Sequence, residues 1–425
     1  MDMTWLGWYA LDWLNLLLRW LHVITGIAWI GASFYFVWLD NHIRPPEPGS
    51  ELAQKGVAGA LWAVHGGGFY HPQKYLLAPA ELPKELHWFK WEAYTTWLSG
   101  CALLIVSYYW RADSMMIDPR VAALLPWQAI AIGIAAMISA WLVYDLLCRS
   151  PLAQQPLWLG LTVYVLLIAS ACLLAQFLSG RAVYIHVGAM IGTIMAGNVL
   201  MVIIPGQKRM VAALMQRQRP DPAYGLRAKQ RSVHNNYFTL PLLFIMISNH
   251  YAMTYQHQRH YLVLALIMAA GVCIRHFFNL RHKGEIRWSY PAAGVALLIV
   301  CAAYLAPVPT TQVSAAALSA GSQSNGADSR IAEPQILTIL QQRCVACHAA
   351  QPRQPGFSQA PAGVLLETSA QLQQYRDKIY QQVVQTQAMP LANLTQMTAA
   401  EREQIARWYQ QTQPALSTNS TSITP

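Results

Sequence analysis

Charge is scarce in this chain. Of 425 residues only 29 are Lys or Arg and 19 are Asp or Glu, 11% together, where an ordinary soluble domain carries about a quarter. The surface of a solvated enzyme cannot be built from that supply. Cysteine is scarce too: seven in all, of which Cys101, Cys148, Cys172, Cys273 and Cys301 stand singly in or beside apolar segments, where a thiol serves as a small hydrophobe. A disulfide framework is therefore excluded. No basic stretch precedes the first apolar run, so the first helix is expected to remain as an anchor rather than to be cleaved as a signal.

What the chain has instead is apolar length. It is 55% hydrophobic with 16 Trp, and runs able to span the ~20 residues a bilayer requires occur at Leu11 to Leu39, Ala93 to Trp110, Val121 to Leu147, Leu157 to Leu178, Ala182 to Ile204, Tyr237 to Tyr255, Tyr261 to Phe278 and Trp288 to Ala306. The expected fold class is all-α, a polytopic membrane helix bundle of about eight spans. The net charge of +10 is then a matter of topology, not a nucleic-acid signal, because Lys and Arg gather between the apolar runs.

One short stretch carries definite chemistry. Cys344-Val345-Ala346-Cys347-His348 offers two thiols at the spacing that ties the vinyl groups of a haem to protein, followed by an imidazole for its iron. A zinc site would need further ligands at matching spacing, and no Cys or His follows His348. Gln335 to Arg343 reads as an amphipathic helix leading into the motif. Beyond it, Met389 is the expected thioether ligand, with Met397 its rival, and Thr398 to Tyr409 reads as a capped helix with Glu401 at the third position and Ile405 and Trp408 on one face. The pattern describes a small C-terminal c-type cytochrome domain holding covalent haem c, with His348 and Met389 on the metal.

Haem c is attached outside the cytoplasmic membrane, so the domain is expected to be periplasmic, and an even span count places the N-terminus outside as well. Basic residues agree: Lys208, Arg209, Arg217, Arg219, Arg227, Lys229 and Arg231 before Asn236, Arg44, Lys55, Lys74, Lys84 and Lys90 after Asp40, and Arg281, Lys283 and Arg287 after Phe278 all fall on the expected inner side. The domain reading is 1–306 membrane part, 307–329 flexible linker rich in Pro, Ser and Ala, 330–412 cytochrome c, and 413–425 polar tail.

Polar groups in membrane spans are costly, so each is a candidate site. Towards the outer face lie His22, Arg181, His186 and His250. His22 and His186 are the expected ligands of a second, b-type haem bridging substrate to haem c, or else hydrogen-bonded packing histidines. At the inner face lie His65, His71, His87, Glu92, His234, Asn235, Asn236, His276, Asn279 and His282. His65-Gly66-Gly67-Gly68-Phe69-Tyr70-His71 lets backbone approach a ligand, or is an ordinary loop. Trp88 and Trp91 offer stacking faces, and Lys90, Glu92, His234 and the two asparagines offer proton transfer and amide hydrogen bonds to a planar polar heterocycle.

Leu21-His22 to Phe36, His65-Gly66-Gly67-Gly68-Phe69-Tyr70, His87-Trp88-Phe89-Lys90-Trp91-Glu92, Gly192-Thr193-Ile194-Met195 with Asn198, His234-Asn235-Asn236-Tyr237, and Met389-Pro390 to Met397-Thr398 together resemble the bacterial membrane-bound urate oxidases that carry a C-terminal cytochrome c. The resemblance implies oxidation of urate to 5-hydroxyisourate in purine breakdown at the inner membrane. Electrons would leave through haem c to a soluble or membrane cytochrome or terminal oxidase, not to dioxygen. His65, His87, Glu92, His234 and Asn236 are then the candidates for substrate contact or proton transfer. Two rivals are a non-catalytic cytochrome relaying electrons from a quinol or partner enzyme, and a transporter with a regulatory haem domain. Polar residues at helix ends rather than at broken mid-membrane helices weigh against the transporter.

Replacing Met389 by Ala is expected to abolish the thioether-to-iron charge-transfer band and to lower the haem potential, because methionine ligation raises it. A band that survives there and vanishes in Met397→Ala would transfer the assignment.

Overall fold

The structure is a computed structural model that describes residues 5–75, 79, 82–306, 331–354, 357 and 360–412. The expected linker 307–329 and tail 413–425 lie outside the described residues. Among the described residues the chain divides into two compact units, a larger one that spans Trp13–Leu305 and a smaller one that holds 331–412.

The larger unit is built from long helices. We label them α1 (Trp5–His42), α2 (Trp91–Leu104, continued by a wider π turn Ile105–Tyr109), α3 (Pro126–Arg149), α4 (Pro156–Leu174), α5 (Gly180–Met215), α6 (Pro222–Ser248), α7 (His260–His282) and α8 (Ser289–Leu305). Five of them, α1, α3, α4, α5 and α7, are long and apolar enough to cross a membrane, and α8 is a shorter apolar helix. A helix occupies each remaining apolar run as well.

Helix starts follow local chemistry. Pro126, Pro156 and Pro222 sit at the first helical position, where a missing N–H costs nothing. Ser179 and Asp221 cap α5 and α6 through Ala182 N–H and Ala223 N–H. Pro205 lies inside the apolar length of α5, and the helix widens to π over Asn198–Ile203 just before it. A proline there removes a donor and crowds the carbonyl one turn back, which relaxes into the wider turn.

Two expectations need correction. The gap between apolar runs before Asn236 implies a connecting loop, but α6 begins at Pro222, so Arg227, Lys229 and Arg231 are helical, as are Lys208 and Arg209 in α5. Hydropathy marks only the apolar length of a helix and misses its polar turns. The all-α reading also omitted two small antiparallel sheets between α1 and α2: Val57–Ala60 with Gln73–Tyr75 (β1, β4) and, nested inside, Ala63–His65 with Gly68–Tyr70 (β2, β3). His65 pairs with Gly68, so Gly66 and Gly67, both at positive φ, form a two-residue hairpin turn. The positive φ of Gly66 and Gly67 is what this turn requires. Lys74 Nζ ties the outer sheet to the end of α1 through Asp40 at 2.7 Å.

α5 is the centre of the bundle. Ala182, Val183, Tyr184, Val187, Gly188, Met195 and Ala196 are buried and between them face every side of it, packed among α2, α3, α4 and α6, as expected of a helix apolar all round. α1, by contrast, has no buried residue in its apolar window. Packing is closest at glycines. A methyl group on Gly180 would lie 2.0 Å from the Tyr255 carbonyl oxygen, whereas Gly160 has nothing within 4 Å.

Gly180→Ala is therefore expected to destabilise the detergent-solubilised protein by ~1–3 kcal/mol, and Gly160→Ala to leave its melting temperature unchanged or slightly raised. Equal melting temperatures for the two variants would contradict this packing.

Candidate functional site

Between α1, the segment His87–Phe89, α5 and α6 lies a cavity of about 290 Å³. Its walls come from the π turn of α5 (Val199, Ile203), the next turn (Gln207), one face of α6 (Ser232, Asn235, Thr239) and α1 (Trp29, Ser33, Phe36). His87, Trp88 and Phe89 close it. Phe89 meets Phe36 edge-on at 4.9 Å and His87 at 4.6 Å. Aromatic faces interrupted by amide, hydroxyl and imidazole groups suit a flat ligand with donors and acceptors around its rim.

Asn235 connects this wall to a buried polar network. Its Oδ1 accepts from Asn198 Nδ2 at 2.8 Å, and its own amide donates to the Met195 carbonyl at 3.0 Å. Asn198 also donates to the Tyr144 hydroxyl at 3.0 Å, which in turn donates to His234 Nδ1 at 2.8 Å. Arg231 donates to Asn198 Oδ1 at 3.1 Å and to Asp145 Oδ1 at 2.7 Å, with its guanidinium over the Tyr144 ring. Asp145 reaches the exposed Arg149 at 2.6 Å. Each buried group thus has a partner, as an apolar surrounding requires.

Asn236, next on α6, turns to α7. Its Oδ1 accepts from Arg275 Nε at 2.9 Å, and the Arg275 guanidinium lies 3.8 Å from the centre of the Phe34 ring. One residue further, Tyr237 donates to His276 Nδ1 at 2.6 Å.

Of the five candidates for substrate chemistry, His87 lines the cavity, while His234 and Asn236 stand behind its α6 wall. His65 sits exposed at the hairpin turn, and Glu92 in the first turn of α2; neither lines the cavity. Sequence reasoning missed Ser33, Gln207, Ser232 and Thr239, which carry no distinctive spacing. It also missed the buried Tyr144 and the half-buried Asp145 and buried Arg275, although charge inside an apolar run was a usable signal for the last two.

His22 and His186 have different settings. His22 Nδ1–H donates to the Thr96 carbonyl at 3.0 Å, against Gly100. His186 is fully buried; Nδ1–H donates to the Ala182 carbonyl at 2.8 Å, and Nε2 accepts from the Tyr109 hydroxyl at 3.3 Å. A Cβ on Gly133 would lie 2.3 Å from that Nε2, so the backbone of α3 occupies the side from which an iron would approach. A bis-imidazole haem on His22 and His186 does not fit this packing. His186 makes the hydrogen bonds that the packing alternative requires. Among the described residues no group of three His, Cys, Asp or Glu forms a metal site.

The smaller unit is described by itself. Helices Glu333–Arg343 and Ala399–Gln411 pack Ile336, Ile339, Leu340, Ile405 and Trp408 into one core with Cys344 and Met397, and Met389 lies against it. Thr398 and Glu401 form the expected capping box. His348 follows one turn after Cys344, and its Nδ1–H donates to the Val364 carbonyl at 2.9 Å. That bond fixes the tautomer and leaves Nε2 free to bind a metal. Cys344 and Cys347 are free thiols, and burial pushes Cys344 up to about 12. A buried Cys beside a second Cys, an oriented imidazole and two methionines in one apolar core is a donor set that fits a c-type haem.

Asp145→Asn removes the carboxylate that answers Arg231, which is 3% exposed. A loss of ~3–5 kcal/mol is expected from an uncompensated buried charge, read as a lowered melting temperature. A drop no larger than that of Arg149→Gln, at the exposed end of the same chain of bonds, would contradict it.

Residues 8–306 match the family described as Urate oxidase N-terminal. No curated protein and no solved structure matches the chain.

Proposed function

We propose that this chain, which belongs to the Urate oxidase N-terminal family over residues 8–306, oxidises urate to 5-hydroxyisourate at the bacterial inner membrane. The observation that carries the proposal is the cavity of about 290 Å³ walled by aromatic rings and amides, in a chain that also bears Cys344-Val345-Ala346-Cys347-His348. Urate and water give 5-hydroxyisourate, two protons and two electrons; water adds at C5.

The residues divide the work by position. Trp29, Phe36, Trp88 and Phe89 present faces to a flat ring and exclude bulk water. Asn235, held in one orientation by Asn198 and the Met195 carbonyl, lends its side chain to the ring's edge. His87, the imidazole in the wall, is assigned proton transfer. Asn198 ties Asn235 on one side to Tyr144 and His234 and on the other, through Arg231, to Asp145 and the exposed Arg149, which holds that amide in place against the ligand.

Cys344 and Cys347 would hold haem c by thioether bonds, with His348 and Met389 on its iron. Bound there, the haem supplies a one-electron acceptor, which is why the proposal sends electrons to a respiratory cytochrome or terminal oxidase rather than to dioxygen. In this reading the chain crosses the membrane about eight times and the cytochrome domain is periplasmic.

Anaerobic addition of urate to the purified full-length chain tests it. Growth of the reduced-haem bands with matching formation of 5-hydroxyisourate is expected, without peroxide. A haem that quinol or a partner enzyme reduces and urate does not would make the chain a relay and overturn the proposal.

A further inference from the structure

Two guanidinium groups are buried in the bundle, and they are treated differently. Arg231, 3% exposed, has Asp145 at 2.7 Å. Arg275, 5% exposed, has no Asp or Glu within ion-pair distance among the described residues, only the Asn236 amide oxygen and the face of Phe34. An amide dipole and a ring soften a positive charge without neutralising it, and an unanswered buried charge is costly in an apolar bundle. Two further groups here are incomplete. Asn236 Nδ2 and Asn279 Oδ1, the latter one turn beyond Arg275 on α7, are buried and make no hydrogen bond. A cation and an unspent donor therefore meet between α6 and α7, with an unspent acceptor one turn further along α7.

These groups do not line the cavity but stand behind its α6 wall. Asn236 follows cavity-lining Asn235, and its carbonyl accepts from the hydroxyl of Thr239, also in the wall. On α1, Phe34 follows Ser33, another wall residue.

We propose that Arg275, with the side-chain amides of Asn236 and Asn279, binds the negative charge and rim of a planar heterocyclic anion. This rests on the urate reading and deepens it. Urate is a monoanion at neutral pH and carries both N–H donors and carbonyl acceptors. Its charge completes the missing ion pair, and its edge satisfies the orphaned amide atoms. The anion comes from outside because a fixed carboxylate would fill the site permanently.

Equilibrium binding of labelled urate to the full-length protein in detergent, with hypoxanthine as a neutral purine competitor, tests this. Arg275→Gln is expected to weaken urate about 10- to 100-fold and hypoxanthine by less than about 3-fold. Asn236→Asp places a carboxylate beside the guanidinium, so the melting temperature is expected to rise while urate affinity falls. That opposition would not arise from a purely structural arginine, and it keeps the test open if Arg275→Gln fails to fold. If the unaltered protein binds urate but both purines weaken equally, or Asn236→Asp leaves urate binding intact, the anion site is wrong and the urate reading stands. If the unaltered protein binds no urate, the substrate reading falls and takes this inference with it.

Discussion

A polar side chain carried into an apolar helical bundle must find its partner there, because neither lipid nor packed hydrocarbon replaces the water it has given up. In this protein that constraint fixes the register of three helices. Asn198 on α5 is bonded to Tyr144 on α3 and to Asn235 and Arg231 on α6, and Arg231 returns to Asp145 on α3. Sliding any one helix by a residue would strand several of these groups at once. The same bonds aim Asn235 at the cavity, so the interaction that aligns the bundle also shapes a wall of the site.

The cavity itself has a local cause. Pro205 cannot continue the hydrogen-bond ladder of α5, and the π turn that results contributes Val199 and Ile203 to the lining. α1, with no buried residue in its apolar window, supplies the opposite wall. A tight core on one side and a loosely packed helix on the other leave room for a ligand where a uniformly packed bundle would leave none.

The C-terminal unit obeys a different economy. Its core is small, and its apolar residues surround Cys344 and Met397, with Met389 alongside. The proposed haem would supply the interior that so small a domain otherwise lacks.

Much of this was legible in the residues themselves. The long apolar runs become helices, Thr398 and Glu401 form their capping box, and His348 has the oriented Nδ1 that a ligating histidine needs. The helices and the cap depend on apolar length or on neighbours within a turn, and the chain states them directly; the His348 bond to Val364 waits on the fold. The family's hold on residues 8–306 likewise lies in the sequence. Other outcomes depended on what packs against a residue from a distant helix. His22 and His186 look alike as intramembrane histidines, yet the α3 backbone at Gly133 closes off one of them. Arg231 and Arg275 look alike as arginines on long helices, yet Asp145 answers only the first. The sequence by itself determined the helices, the Cys-x-x-Cys-His motif and the scarcity of charge that makes each buried polar group matter. Only the tertiary structure decided which of those groups meet, because hydrogen bonds and ion pairs act over a few ångströms and the partners here lie tens of residues apart along the chain.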